Sequence, residues 1–264
     1  MPTPMPAEGA VAGPVAVFLF AHQDDEFGVY ECIARSAKAG KVVCAYLTDG
    51  GAGGDPQRRD AESREVLRRL GVPPENVQFL GTVAGIPDGR LHDHLDAVAQ
   101  RVASVLDAQP ESALVHVLAW EGGHPDHDGL HAVTAVLMHA RGRLAQLRQF
   151  PVYHAARCPG PFFRVLSPLV QNGPVERWRI GIVDRFRQLR HCLRYPSQRK
   201  TWMGLFPFVA LRLLWRGRQS LQRVQLARIA ERPHEGPLYY EKRGFLRYER
   251  MREAIDAWRS RGQG

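Results

Sequence analysis

The chain has 264 residues, 44% of them hydrophobic, and a formal net charge of +9. That length can bury a sizeable core, so one α/β domain, with or without an appendage, is the expectation. No apolar run approaches the ~20 residues that span a bilayer, which excludes a transmembrane helix. The start, rich in Pro, Ala and Gly, lacks the basic region of a signal peptide.

The predicted elements alternate along the first half. Residues 15–21 read as a strand, 28–39 as a helix, 41–47 as a strand and 58–70 as a helix stopped by Gly71. A short strand follows at 77–80. A helix at 93–106 carries Leu95, Val98, Val102 and Val105 on one stripe. Residues 113–118 are strand-like and 129–141 helical. Nearly continuous apolar strands in this order imply a parallel sheet covered on both faces, with ligands beyond the carboxyl ends of its strands. After residue 150 the pattern loosens. Strands are expected at 151–154, 162–166 and 177–183, and a helix at 184–195. The apolar stretch 203–215 is expected to pack in the core, with Pro207 interrupting its helix. The other reading is a membrane interface, with Arg212, Arg216 and Arg218 beside it. Residues 216–232 are basic.

Charge divides the chain. Residues 1–140 hold 10 Lys+Arg against 19 Asp+Glu, a net −9, whereas residues 141–264 hold 26 against 8, a net +18. The basic half fits a phosphorylated or lipid-linked substrate, an anionic membrane surface, nucleic acid, or simply a solvated arginine-rich surface. No nucleic-acid motif or ordered aromatic–basic pattern accompanies the charge, which argues against nucleic acid. The four cysteines, Cys32, Cys44, Cys158 and Cys192, form no CxxC pair. Reduced thiols in a cytoplasmic protein are expected.

Two segments carry the chemistry. Ala21-His22-Gln23-Asp24-Asp25-Glu26 follows the first strand, and Glu121-Gly122-Gly123-His124-Pro125-Asp126-His127-Asp128 follows the strand at 113–118. His22 and Asp25, three residues apart on a strand-to-helix turn, can face one point, and His127 can add a third donor. Three protein donors and an open position make a hydrolytic zinc site. Asp24 is then the spare carboxylate that takes a proton. His124 can hold a proton, support an oxyanion or protonate a leaving amine. Asp126 is placed to fix a histidine tautomer. A single H-x-x-D or H-x-x-H pair is a weak signal. Two such segments, each after a buried-type strand, are a much stronger one. His92, His94, His131 and His139 read as surface or helix-face residues. Gly50, Gly51, Gly53 and Gly54 form a glycine-rich loop without the lysine of a phosphate loop. No G-x-S-x-G elbow is present, which argues against serine hydrolysis.

These segments resemble the LmbE-like de-N-acetylase family, which includes the N-acetylglucosaminyl-phosphatidylinositol (PIG-L) deacetylases and bacterial thiol-pathway deacetylases. The A-H-P-D-D-E motif stands here as residues 21–26, and H-P-D-H as His124-Pro125-Asp126-His127. T-x-G stands as Thr48-Asp49-Gly50, R-x-x-E as Arg59-Asp60-Ala61-Glu62, L-G-V as Leu70-Gly71-Val72 and P-D-G as Pro87-Asp88-Gly89. Ser197-Gln198 matches a weaker S-Q signature. The resemblance covers roughly residues 15–200. It implies a Rossmann-like, mostly parallel sheet and a divalent metal, usually zinc, on His22, Asp25 and His127. It implies Asp24 as general base, His124 at the oxyanion, and Arg59, Asp88 and Gly50 at the sugar. The implied reaction frees acetate and an amine from an N-acetylglucosamine-type sugar or glycolipid. Gln23 replaces the motif's proline. Gly122 stands where thiol-pathway members carry a tyrosine, which counts against transferring that subgroup's substrate. Other readings are a deacylase of a thiol-sugar or antibiotic conjugate and a catalytically silent binder of anionic glycan or nucleic acid. The expected organisation is a flexible 1–14, a deacetylase core at 15–200 and a basic helical extension at 201–264 packed on the core. The expected location is cytoplasmic, with peripheral contact at the inner face of the membrane if 203–232 lies in an interface.

Overall fold

The computed structural model describes residues 13–51 and 54–261; most of the flexible start expected at 1–14 lies outside them. Five parallel strands form the centre of the molecule: β1 (Val15–Phe20), β2 (Lys41–Tyr46), β3 (Val77–Phe79), β4 (Leu114–Leu118) and β5 (Leu147–Phe150), arranged 3-2-1-4-5. Val17 pairs with Val43 on one side and Val115 on the other. Val17 through Phe20 are fully buried, as a strand covered on both faces requires. The crossovers include α1 (Tyr30–Ala39), α2 (Pro56–Arg69), α3 (Leu80–Ala84), α4 (Leu95–Asp107) and α5 (Pro125–Ala140). α2 starts at an Asp55 cap with Pro56 behind it, the sequence signature of a helix start.

The strand order reverses between β1 and β4. A crevice opens there beyond the carboxyl ends, which is where such sheets bind ligands. The two chemistry-bearing segments follow those two strands, so the topology alone brings residues 22 and 127 together.

The second half adds a β6–β7 pair (Tyr153–His154, Arg164–Val165), β8 (Val175–Arg179), α6 (Ile182–Cys192), α7 (Arg199–Trp215), β9 (Arg218–Arg223), α8 (Tyr239–Lys242) and α9 (Tyr248–Arg261). Three features differ from the sequence expectation. First, the stretch from 201, expected to be helical, contains β9, which pairs antiparallel with β5 and β8 and extends the main sheet to seven strands. Its sequence, RQSLQR, lacks an apolar run, yet Gln219 and Gln222 are buried with their amides donating to the Gly28, Leu169 and Gly173 carbonyls. Buried polar groups so satisfied leave no periodic signal in the sequence. Second, α7 runs straight through Pro207. That proline is exposed, and the buried stripe Trp202, Leu205, Val209 and Leu213 holds the helix on both sides of it. Third, His131 and His92 are buried, and His131 Nδ1 donates to the Leu118 carbonyl 2.8 Å away. No helix among the described residues is long and apolar enough to cross a membrane.

Candidate active site

β1 ends in a turn that becomes a short 3-10 helix, Asp25–Gly28, and α5 opens directly on the second segment. His124 is the α5 cap: its Nδ1 accepts from the Asp126 amide at 3.2 Å. This places His127 one turn into the helix, facing the β1 turn. The helix therefore starts at Pro125, four residues earlier than the pattern suggested.

Three side chains converge. His22 Nδ1 lies 3.3 Å from His127 Nε2 and 3.6 Å from Asp25 Oδ2. The other Asp25 oxygen, Oδ1, lies 3.1 Å from His127 Nε2. A tetrahedral ion with ~2.0–2.2 Å bonds sets its donors about 3.3–3.6 Å apart, and the two imidazole nitrogens stand at that separation, with one carboxylate oxygen of Asp25 beside each. The chemistry fits as well. Two buried carboxylates, Asp25 and Asp126, and the half-buried Asp88 lie within 3.6 Å of the His22 ring nitrogens. Anions so crowded call for positive charge beside them, and a divalent ion would fit that need.

The far side of His22 is fixed. Its Nε2 lies 2.9 Å from Asp126 Oδ2 and 3.2 Å from Asp88 Oδ1. Asp126 also accepts from the Gly89 amide at 2.6 Å and the Leu91 amide at 3.0 Å. With its lone pairs engaged, Asp126 aims the imidazole and is itself poorly placed to ligate; this is the tautomer-setting partner a metal histidine requires. His127 has no such partner. Among the described residues its Nδ1 is buried without a hydrogen bond, and the Tyr153 ring lies 5.6 Å from the imidazole. The donor atoms of His22, His124 and His127 also lie within 4.8 Å of one another, as do those of His22, Asp88, His124 and Asp126. The His124 Nδ1 lone pair is taken by the α5 amide, and Asp88 Oδ2 is held by Arg59 Nη1 at 3.0 Å. The donors with capacity to spare are therefore His22 Nδ1, Asp25 and His127 Nε2.

The charges follow from these contacts. Burial opposes a charged His22, yet the Asp88 charge and the hydrogen bonds to Asp126 and Asp25 hold its pKa well above the ordinary value. Burial likewise opposes the Asp25 carboxylate, but His127 and His22 outweigh it and keep that pKa well below the usual range. Asp24 is the exception: burial raises it to about 8, with Arg59 opposing. Its backbone is left-handed at φ 109°, a cost of order 1–3 kcal/mol for a non-glycine residue. The Asp24 amide donates to Glu26 Oε2 at 2.8 Å, which helps to hold that conformation. His124 is pushed down to about 3, first by burial and then by the nearby His22. It is therefore neutral, and with Nδ1 accepting, its proton sits on Nε2.

These groups floor a cavity of ≈ 500 Å³, within the range of small-ligand sites. Asp24, Asp25 and Asp88 contribute polar lining, and Phe27, Tyr153 and Tyr239 aromatic lining. Arg59 is only 3% exposed. Its guanidinium donates to the carbonyls of Gly50 and Gln23 and to Asp88, so it braces the floor. Gly50 has φ +65°, and a Cβ there would overlap the Gln23 side chain. Tyr153 and Tyr239 escaped the sequence reading. The available signal was Gly123, where a Cβ would overlap the Tyr153 carbonyl oxygen: the glycine lets β6 press against the α5 cap.

Comparison with known proteins agrees with this picture. Residues 17–138 match the family described as GlcNAc-PI de-N-acetylase, PIG-L. No curated protein matches the sequence. Among solved structures, the zinc-inhibited form of teicoplanin deacetylase Orf2 is similar at TM-score 0.57 and 17% identity, over 80% of this chain and 99% of that one. The A40926 pseudoaglycone deacetylase Dbv21 is similar at 0.58 and 19%, over 81% and 97%. The conserved protein TT1542 from Thermus thermophilus is similar at 0.56 and 21%, over 80% and 93%. At these identities the likeness establishes a shared α/β fold. Residues 17–138, which hold both histidine-bearing segments, carry a domain of the GlcNAc-PI de-N-acetylase (PIG-L) type.

Proposed function

We propose that the protein is a metal-dependent hydrolase that removes the N-acetyl group from a glucosamine-type sugar in a glycoconjugate. One observation carries this: His22 Nδ1, Asp25 and His127 Nε2 stand 3.1–3.6 Å apart beside a cavity that His22, Asp24 and Asp25 line. The family's description names GlcNAc-PI, and two of the structural neighbours are deacetylases of teicoplanin and of the A40926 pseudoaglycone, which supports a sugar-conjugate amide as substrate.

When bound, a divalent ion on His22, Asp25 and His127, zinc by the character of these donors, supplies Lewis-acid activation of water and of the amide carbonyl. Asp24 accepts one proton from the attacking water and returns it to the leaving nitrogen, so that water and the N-acetyl amide become acetic acid and a free amine, which separate as acetate and the protonated amine. The Nε2–H of His124 donates to the oxygen on which negative charge develops. Asp126 keeps His22 in its tautomer. Tyr153 and Tyr239 offer aromatic faces to the apolar side of a sugar ring, and Asp88 a carboxylate to its hydroxyls. The test is to incubate zinc-loaded protein with free, lipid-linked and glycopeptide-linked N-acetylglucosaminides and to measure released amine. Release from at least one class supports the reading, and no release from any overturns it.

Asp24 works as a base only when ionised, so kcat/KM should rise with pH through its pKa; a bound dication shifts that limb below the value of about 8 set by burial and Arg59 alone. Arg59 Nη2 stands 3.7 Å from Asp24 Oδ1 and favours the carboxylate. Arg59→Gln should therefore move the rising limb upward by about one pH unit. A limb that stays in place would assign it to another group.

A further inference from the structure

Between Trp202 and Trp215, α7 carries one charged residue, the half-buried Arg212, and is otherwise apolar on both its buried and its exposed sides, which is unusual for a helix at a protein surface. Its buried stripe, Trp202, Leu205, Val209 and Leu213, packs into the core. The opposite side presents Met203, Gly204, Pro207, Leu211, Leu214 and Trp215 to solvent, and no charged residue interrupts it. Met203 is 72% exposed, Leu211 65% and Trp215 82%. This face is about 18 Å long at 1.5 Å per residue. Cations stand at both ends: Arg199 and Lys200 before it, Arg216 and Arg218 after it. α6 runs back beside α7, and Arg185 Nη1 donates to the Leu214 carbonyl at 3.2 Å. The exposed Ile182, Val183 and Phe186 of α6 thus lie at the same end of the helix pair as Leu214 and Trp215.

We propose that this α6–α7 face docks the protein on an anionic lipid bilayer. Charge selects the occupant. Residues 185–230 contain ten arginines and one lysine, with no Asp or Glu. A second copy docked through the same face would bring two such cationic surfaces together, whereas anionic headgroups neutralise them. A nucleic acid backbone would meet the cations but gives Met203, Leu211 and Trp215 no apolar phase to enter. A bilayer supplies both, the acyl region to the apolar stripe and headgroups to the flanking arginines. Continuity with the cavity gives the docking a use. Lys200, Thr201, Gly204 and Leu205 of the same helix line the cavity wall, so a docked molecule holds its cavity mouth beside the lipid surface. That benefit rests on the deacetylase reading; the docking itself does not.

The test uses the full chain and vesicles of phosphatidylcholine with or without phosphatidylglycerol. Flotation with the anionic vesicles at low salt is expected, weakened at high salt, with little flotation on neutral ones. The emission of Trp215 should shift to the blue on binding, and Trp215→Phe should remove that shift. The double variant Leu211→Glu/Trp215→Glu alters exposed side chains outside the cavity. It should keep the thermal midpoint and lose about tenfold or more of its vesicle partitioning. Arg216→Gln/Arg218→Gln, the gentler pair, should reduce binding to anionic vesicles alone. Absence of flotation overturns the proposal, as does flotation that the Glu variant leaves unchanged. Light scattering that shows a dimer dispersed by the Glu variant would assign the face to a second copy and overturn it equally. None of these readouts depends on turnover, so failure here and failure of the deacetylase reading are distinguishable.

Discussion

Asp24→Asn should lower kcat by about 10²–10⁴-fold, the usual contribution of a positioned general base, while metal content and KM stay near wild type. The expectation follows from where the side chain sits. Asp24 lines the cavity, and its carboxyl is not among the three donors that meet between His22 and His127. Asp25 instead lies 3.1 Å from His127 Nε2, so adjacent carboxylates serve different ends. Asparagine keeps the shape and tolerates that backbone conformation. Only the proton acceptor is lost. Steady-state kinetics with metal analysis on the same preparation checks this, and near-normal turnover would remove Asp24 from the role of base.

His127→Ala should abolish both tight metal binding and turnover. Three protein donors are the minimum for a catalytic zinc site, and this change leaves two. It also strips Asp25 Oδ1 of the imidazole nitrogen at 3.1 Å and leaves Oδ2 with the His22 amide at 2.8 Å. Because metal binds the folded chain, wild-type protein should gain thermal stability on zinc addition, and the variant should not. Asp126→Ala, by contrast, removes the residue that orients His22 and should cost about 10–100-fold in metal affinity. Titration with a competing chelator separates the two. Equal zinc affinity in wild type and His127→Ala would contradict the donor set.

The site was more legible in the sequence than the second half of the fold. β1 is an unbroken apolar run, β2 and β4 are apolar apart from Lys41 and His116, and parallel strands buried on both faces leave that signature. Once they stand side by side, residues at their carboxyl ends must meet, and His22, Asp25 and His127 do. β9 was illegible because its buried side chains are glutamines whose partners are carbonyls distant in the sequence, Gly28 and Leu169. β5 was hidden likewise, with Gln149 buried among Trp120 and Asn172. α7 misled in another way. Pro207 read as a break, and the apolar residues read as core. The structure keeps the helix intact and buries only one of its two apolar sides. The aromatic wall from Tyr153 and Tyr239 comes from β6 and α8, elements too short to carry a pattern.

Diffraction from zinc-soaked crystals at the zinc absorption edge bears on the centre of the proposal most directly. An anomalous peak about 2.0–2.2 Å from His22 Nδ1, from a carboxylate oxygen of Asp25 and from His127 Nε2, with the Asp24 carboxylate beside it but not bound, is the expected result. Zinc held elsewhere, or no peak between those two loops at saturating metal, would contradict it.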